Sequence, residues 1–209
     1  SYTLLTDIRE QAGAPVAEAE AFTKKLYVIY GSDAARKFYN PENFKREGAM
    51  PDLVIQTLFG EAGVQTLDGE EHHHRKNIFM DLMNPDRMDE YHKILDENMT
   101  AALDAEQGTF ELFGLTRRVL FEAVTEWAGI NLDDLTDKEI DDLSKYQISM
   151  ISGTFTSPVD HIKGVEDRKK SEKWAKKLIE SSREHHVPGK ENVALYAFAS
   201  AKDLNGELL

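Results

Sequence analysis

The sequence contains no cysteine. Disulfide frameworks, thiolate zinc sites, cysteine nucleophiles and iron–sulfur clusters are thereby excluded from this chain. Positive charge is also scarce: 25 Lys and Arg face 38 Asp and Glu, a formal net charge of −13. A phosphate backbone is gripped by clustered cations that release its counterions, so no nucleic-acid partner is expected. No run approaches the roughly 18 consecutive apolar residues that a membrane span needs. The stretch from Ser1 to Glu20 lacks the basic-then-apolar layout of a signal peptide. The expectation is a soluble, cytoplasmic protein that is not integral to a membrane. No GxGxxG, Walker loop, GxSxG elbow or HExxH is present, and the mechanisms built on them receive no support.

What is present reads as one mostly helical unit over residues 1–209, with a small β element near its start. The first eighteen or so residues carry no apolar period and read as a peripheral arm. Residues 26–30 (LYVIY) form a short β-rich run. Gly31-Ser32-Asp33 then hands over to a helix that Asn40-Pro41 stops. The stretch to Gly69 carries Pro51, Gly48, Gly60 and Gly63 and reads as a long, partly helical connection, a kind of segment that often carries function.

Apolar spacing predicts helices over 70–83, 86–105 and 110–128, the last with a stripe of Leu112, Leu115, Val119, Leu120, Ala123, Val124 and Trp127. Gly129 sits where a left-handed cap belongs. Thr136 with Glu139 is a capping-box signature for a helix reaching about residue 150. A turn-rich break over 152–158 follows, then a charged helix over 165–184 whose thin apolar line is Trp174, Leu178 and Ile179. Pro188-Gly189 ends it, a short helix covers 192–201, and Asn205-Gly206 marks a turn.

His72-His73-His74 invites a metal reading, but neighbours on a helix point about 100° apart and cannot ligate one ion together. No metal site is expected. His72 and Lys76, at i and i+4, do share a face that continues to Phe79 and Met83. Cationic donors beside apolar surface suit the carboxylates of a large flat ligand. A solvated helix start is the bland alternative. His185-His186 reads as a dipole partner at a helix end, and the pairs Asp133-Asp134 and Asp141-Asp142 read as solvated.

Several separate words stand in order before that helix: Phe44-Lys45-Arg46-Glu47-Gly48-Ala49-Met50-Pro51, then Thr57-Leu58-Phe59-Gly60, Val64-Gln65, Asp68-Gly69 and His72 through Lys76. Weaker echoes are Gly31 with Ala34-Ala35 and Phe38-Tyr39, then Trp127-Ala128-Gly129, Trp174 and Ala194-Leu195-Tyr196. The set resembles the bacterial fatty-acid hydroxylases and peroxygenases of the cytochrome P-450 superfamily, from about residue 19 to the end.

The resemblance implies a fold that is mainly α with a small β element, the N-terminal half of the cytochrome P-450 fold. It implies heme b, its iron ligated by a cysteine outside this chain, with hydrogen peroxide as oxidant and no redox partner required. Arg46, His72 and Lys76 fall on positions that hold heme propionates, and Phe59 on the pocket aromatic beside the fatty-acid chain. Gln65 falls on the position facing the distal side of the heme and the substrate. Histidine there marks relatives that favour decarboxylation to alkenes, so glutamine resembles the hydroxylating members. The implied substrate is a long-chain fatty acid, hydroxylated at its α or β carbon. The chain stops after Asp203-Leu204-Asn205-Gly206, roughly where the family begins the helix that bears the carboxylate-binding arginine. Without a cysteine, the 209 residues alone are expected to be inactive. The alternative is a non-catalytic helical binding or scaffolding protein derived from the front half of that fold.

Overall fold

The computed structural model describes residues 4–21, 24–40, 42–60, 62–185, 187 and 189–209. The expected stops at Pro41 and Pro188, and His186 of the dipole pair, lie outside the described residues.

The opening segment, expected as a peripheral arm without apolar period, carries a helix and a strand. Helix α1 (Leu4–Ala12) leads into strand β1 (Val16–Ala21), which pairs antiparallel with β2 (Lys24–Ile29), Val16 opposite Ile29. The β1 sequence does alternate, but the side chains between its glutamates are alanines, too small to register as an apolar period. Ala17 is buried all the same. Helix α2 (Ser32–Phe38) follows. The long connection then contains one turn of helix α3 (Asp52–Val54), a π turn (Ile55–Phe59) and a 3-10 turn (Val64–Thr66).

Helices α4 (Gly69–Leu82), α5 (Pro85–Ala105) and α6 (Leu112–Trp127) come next, then α7 (Asp137–Phe155), α8 (Pro158–Glu184) and α9 (Ala194–Ser200). Their starts follow from local chemistry. Asn84 accepts from the Arg87 amide and Pro85 needs no donor, so α5 begins there. Thr136 and Glu139 form the expected reciprocal capping box on α7. Gly129 adopts a positive φ, and a Cβ there would collide with Val193, so both torsion and space demand glycine.

The core forms where α6, α7 and α8 meet. Phe121, Ile140 and Leu143 are buried together, with Leu132, Leu135, Tyr146 and Trp174 packed against them. The expected break over 152–158 shrinks to Thr156-Ser157, because α7 runs on to Phe155 and α8 starts at Pro158. Gly153 and Gly164 are helix-crossing residues rather than turn residues. A Cβ on Gly164 would lie 3.3 Å from the Gly153 Cα, and one on Gly153 would lie 2.7 Å from the Asp160 carbonyl oxygen. The fully buried residues of α8 are Gly164, Asp167, Ser171 and Ser182, and the expected apolar line of Trp174, Leu178 and Ile179 is half-buried beside them, with Trp174 on the core. Three of the seven residues of the α6 stripe are uncovered: Leu112, Leu120 and Val124 are exposed, as is the neighbouring Phe113.

Asp141 and Asp142 are not simply solvated. Both are half-buried; Asp142 pairs with Lys138, and Asp141 pairs with Arg117 at 2.8 Å and Lys145 at 2.6 Å. Donation by Lys145 first, then by Arg117, lowers the Asp141 pKa to about 2. A folded-state pKa below the unfolded one means stability that is fully present above the ordinary value of 3.8 and lost as pH falls toward about 2. Acid unfolding followed by circular dichroism is expected to show the loss across that window. In Asp141→Asn the protein is less stable at neutral pH and this contribution is flat. An unchanged acid slope in the variant would refute the assignment.

His185 ends α8 with Nδ1 2.9 Å from the Ser181 carbonyl oxygen, in keeping with a C-terminal role. Among the described residues, no helix is long and apolar enough to cross a membrane.

Candidate functional site

The site forms where the long connection folds back on the start of α4. Asp68 occupies the N-cap position of α4, yet its side chain makes no cap bond. It turns outward instead and accepts the backbone N–H groups of Arg46, at 2.8 and 3.0 Å, and of Glu47, at 2.9 Å. Those bonds, Arg46 first, hold its pKa below the usual carboxylate value. Two words that stand 22 positions apart in sequence are thus one object in space. Arg75 adds a second tie, donating to the Ala62 carbonyl at 3.1 Å while paired with Glu71 at 3.0 Å.

This clamp brings three of the expected residues together. His72 is buried, at 8% exposure. Burial is the first cause that lowers its pKa, followed by the positive fields of Arg46, His73 and Lys76, against which Asp68 acts weakly. His72 is therefore a neutral imidazole beside two cations. Arg46 and Lys76 are both exposed, and among the described residues neither side chain has an ion-pair partner. Two cations without an ion-pair partner beside a buried imidazole have the chemistry that suits an anionic group.

The other two histidines diverge. His73 is exposed, and His74 places Nε2 2.7 Å from the Lys202 carbonyl oxygen. Among the described residues, no group of three His, Asp or Glu side chains could hold a metal ion. The α4 face expected to run from His72 to Met83 is divided: Phe79 packs on Phe198 of α9, with ring centroids 5.0 Å apart, while Met83 is exposed.

Phe59 and Gln65 lie on the connection itself. Phe59 is half-buried at the end of the π turn, and Gln65 is exposed in the 3-10 turn that follows. Between them, Gly60 has φ +75° and Gly63 donates to the Gly60 carbonyl at 3.3 Å. The π turn is fastened underneath by Thr57, which is fully buried with its hydroxyl 2.6 Å from that of Thr154 on α7. Asp68, Arg75, Thr57 and Thr154 were missed as site-building residues. Only Asp68 left a sequence signal, an Asp-Gly pair just ahead of a helix start.

Solved structures share this fold along the whole chain. Cytochrome P450SP alpha (CYP152B1), as a variant, is 32% identical with a TM-score of 0.90, over 100% of this chain and 51% of that one. The same protein in complex with (R)-ibuprophen is 31% identical with a TM-score of 0.89, over 99% of this chain and 51% of that one. Cytochrome P450EX alpha (CYP152N1) with myristic acid is 30% identical with a TM-score of 0.89, over 100% of this chain and 50% of that one.

The chain belongs to the cytochrome P-450 superfamily.

It carries part of the P-450 fold and spans about half the length of the structures it matches. No protein-family model matches it. Within this P-450 fold, the connection and the start of α4 supply the cationic corner. The α7–α8 pair stands behind the π turn, joined to it by the two buried threonines.

Proposed function

We propose that these residues form part of a heme-dependent enzyme that hydroxylates long-chain fatty acids at the α or β carbon with hydrogen peroxide. The chain has no cysteine, so a cysteine outside the 209 residues would have to ligate the heme iron. The observation that carries this reading is the pair of unneutralised cations, Arg46 and Lys76, set around the buried neutral imidazole of His72. That donor set fits the two propionates of heme b: the exposed cations offset their charge and His72 offers a hydrogen bond without adding a buried charge. Heme bound through an outside thiolate would supply the iron at which peroxide is cleaved and the substrate carbon oxidised.

The chain's own share is placement. Phe59 forms an apolar wall for the fatty-acid chain, and Gln65 orients groups on the distal side through its amide. An amide is no useful general acid, so the proton for peroxide cleavage comes from elsewhere, and the substrate's own carboxylic acid is the suitable group. No redox partner is needed, since peroxide brings both oxygen and oxidising equivalents. A cytoplasmic location goes with this reading. Myristic acid bound to the P450EX alpha relative supports the substrate class.

The test joins this chain to the remaining part of P450SP alpha and measures heme content, the thiolate-heme carbon monoxide band and the conversion of myristic acid with peroxide. Hydroxylated acid is the expected product. Arg46→Glu with Lys76→Glu is expected to weaken heme retention about tenfold or more, the effect of losing one charge-assisted bond or more. Equal retention would refute the propionate assignment, and heme uptake without oxidation of the acid would refute the proposed reaction.

A further inference from the structure

Arg168 lies 111 positions from Thr57 in sequence, yet it reaches the π turn from α8. Its Nη1 donates to the Thr57 carbonyl oxygen at 3.2 Å, and its Nε donates to Glu172 at 2.7 Å, which sets the plane of the fork. The side chain is only 18% exposed, against 56% for Glu172. On its other edge, Nη2 occupies the space over Gly60: a Cβ on that residue would lie 2.5 Å from it. Gly60 is also at positive φ, a torsion that glycine adopts freely. One guanidinium therefore engages the chain on both flanks of Phe59.

We infer that Arg168 is a positioning residue that sets where Phe59 stands, and thereby how the wall of the fatty-acid pocket accommodates the chain. The inference rests on the reading of Phe59 given under the proposed function. A planar, five-donor fork suits the task because it can bond a carbonyl on one edge, hold a carboxylate on another and still present a flat face to a backbone without a side chain. Thr57 and Thr154 fix the base of the turn, whereas Arg168 fixes its far end, so the two devices are separable. Glu172 orients the fork from one turn further along α8.

Hydrogen exchange on the joined enzyme of the preceding test probes the strap directly. In Arg168→Met, amides of residues 58–63 are expected to exchange about tenfold faster or more, while those of α5 and α6 and the melting temperature hold. Arg168→Lys, which keeps one donor but not the fork, is expected to recover part of the protection. Gly60→Ala attacks the same contact from the other side and is expected to give the same local signature. Adding Arg168→Met to it should then bring no further increase. Unchanged exchange in Arg168→Met, a rise spread over all helices, or additive effects of the two substitutions would each overturn the strap. In the joined enzyme of the preceding test, Arg168→Met is expected to alter the ratio of KM values for myristic and shorter acids at constant heme content. A local rise in exchange with an unmoved ratio overturns the reading of Phe59 and leaves the strap supported.

Discussion

Gly63→Ala is expected to destabilise the protein by about 2–3 kcal/mol and to unseat the turn that carries Gln65, an effect on the scale of overpacking against groups that cannot yield. The backbone of Gly63 is in the ordinary extended region, which any residue adopts, so torsion is not the objection. Contact is. A Cβ there would overlap the Phe59 carbonyl oxygen and would stand 3.1 Å from both the Phe59 carbonyl carbon and Gln65 Oε1. Gln65 can swing away, but the carbonyl belongs to the main chain of the π turn that Thr57 and Arg168 hold in place. Relief requires opening the turn and giving up the Gly63 to Gly60 bond at 3.3 Å and the Thr66 hydroxyl bond to Gly63 at 2.8 Å. Gly48→Ala is the control, since its φ is positive and a Cβ there would meet nothing within 4 Å. Only the left-handed torsion costs at that position, about 1 kcal/mol. Thermal unfolding of both variants decides. If Gly63→Ala costs no more than Gly48→Ala, the close approach described for this turn is wrong.

The second large effect is expected from Arg87→Leu, at about 3 kcal/mol, the scale of breaking a buried, hydrogen-bonded cation out of its setting. Arg87 is 7% exposed near the start of α5 and reaches the end of α6. Its Nη2 donates to the Trp127 carbonyl at 2.6 Å, its Nη1 pairs with Glu90, and its guanidinium lies 5.0 Å from the Trp127 ring centre. The carbonyl belongs to the last residue of α6, where a positive charge also meets the negative end of the helix dipole. In return the Trp127 indole donates to the Arg87 backbone carbonyl at 2.7 Å, a bond that Arg87→Leu leaves in place. The two halves of the clasp can therefore be measured apart. Trp127→Phe removes the indole bond alone and is expected to cost about 1 kcal/mol. The pair of substitutions should be non-additive because the cation and the ring touch. Denaturant unfolding gives the numbers. A cost under about 1 kcal/mol for Arg87→Leu would show that the clasp does not hold α5 to α6, on the scale of ordinary surface substitutions.

The sequence reading succeeded where a signal repeats and stays local. Helices α4, α5 and α6 announced themselves through apolar spacing, and α7 through Thr136 and Glu139, because a cap is satisfied within three residues. It failed at the first strand, where alanine gave too weak an alternation. It failed again at Gly153, because a glycine that opens a turn and a glycine that lets two helices touch look alike in one dimension. The acidic pair Asp141-Asp142 misled for a related reason: the partner Arg117 lies on another helix. At the site, His72 and Lys76 were legible from their spacing, and Arg46 from the resemblance.

By itself, then, the sequence determined that the chain is mostly helical, that it can offer no thiolate of its own, and that one face of α4 sets His72 beside Lys76. Those properties follow from composition and from contacts a few residues apart. Only the tertiary structure decided that Arg46 joins His72 and Lys76 through Asp68, that His72 is buried and neutral, and that Arg168 grips the turn bearing Phe59. Each depends on groups brought together across 22 to 111 positions. Such meetings are set by the packing of whole helices, and no local pattern of residues encodes them.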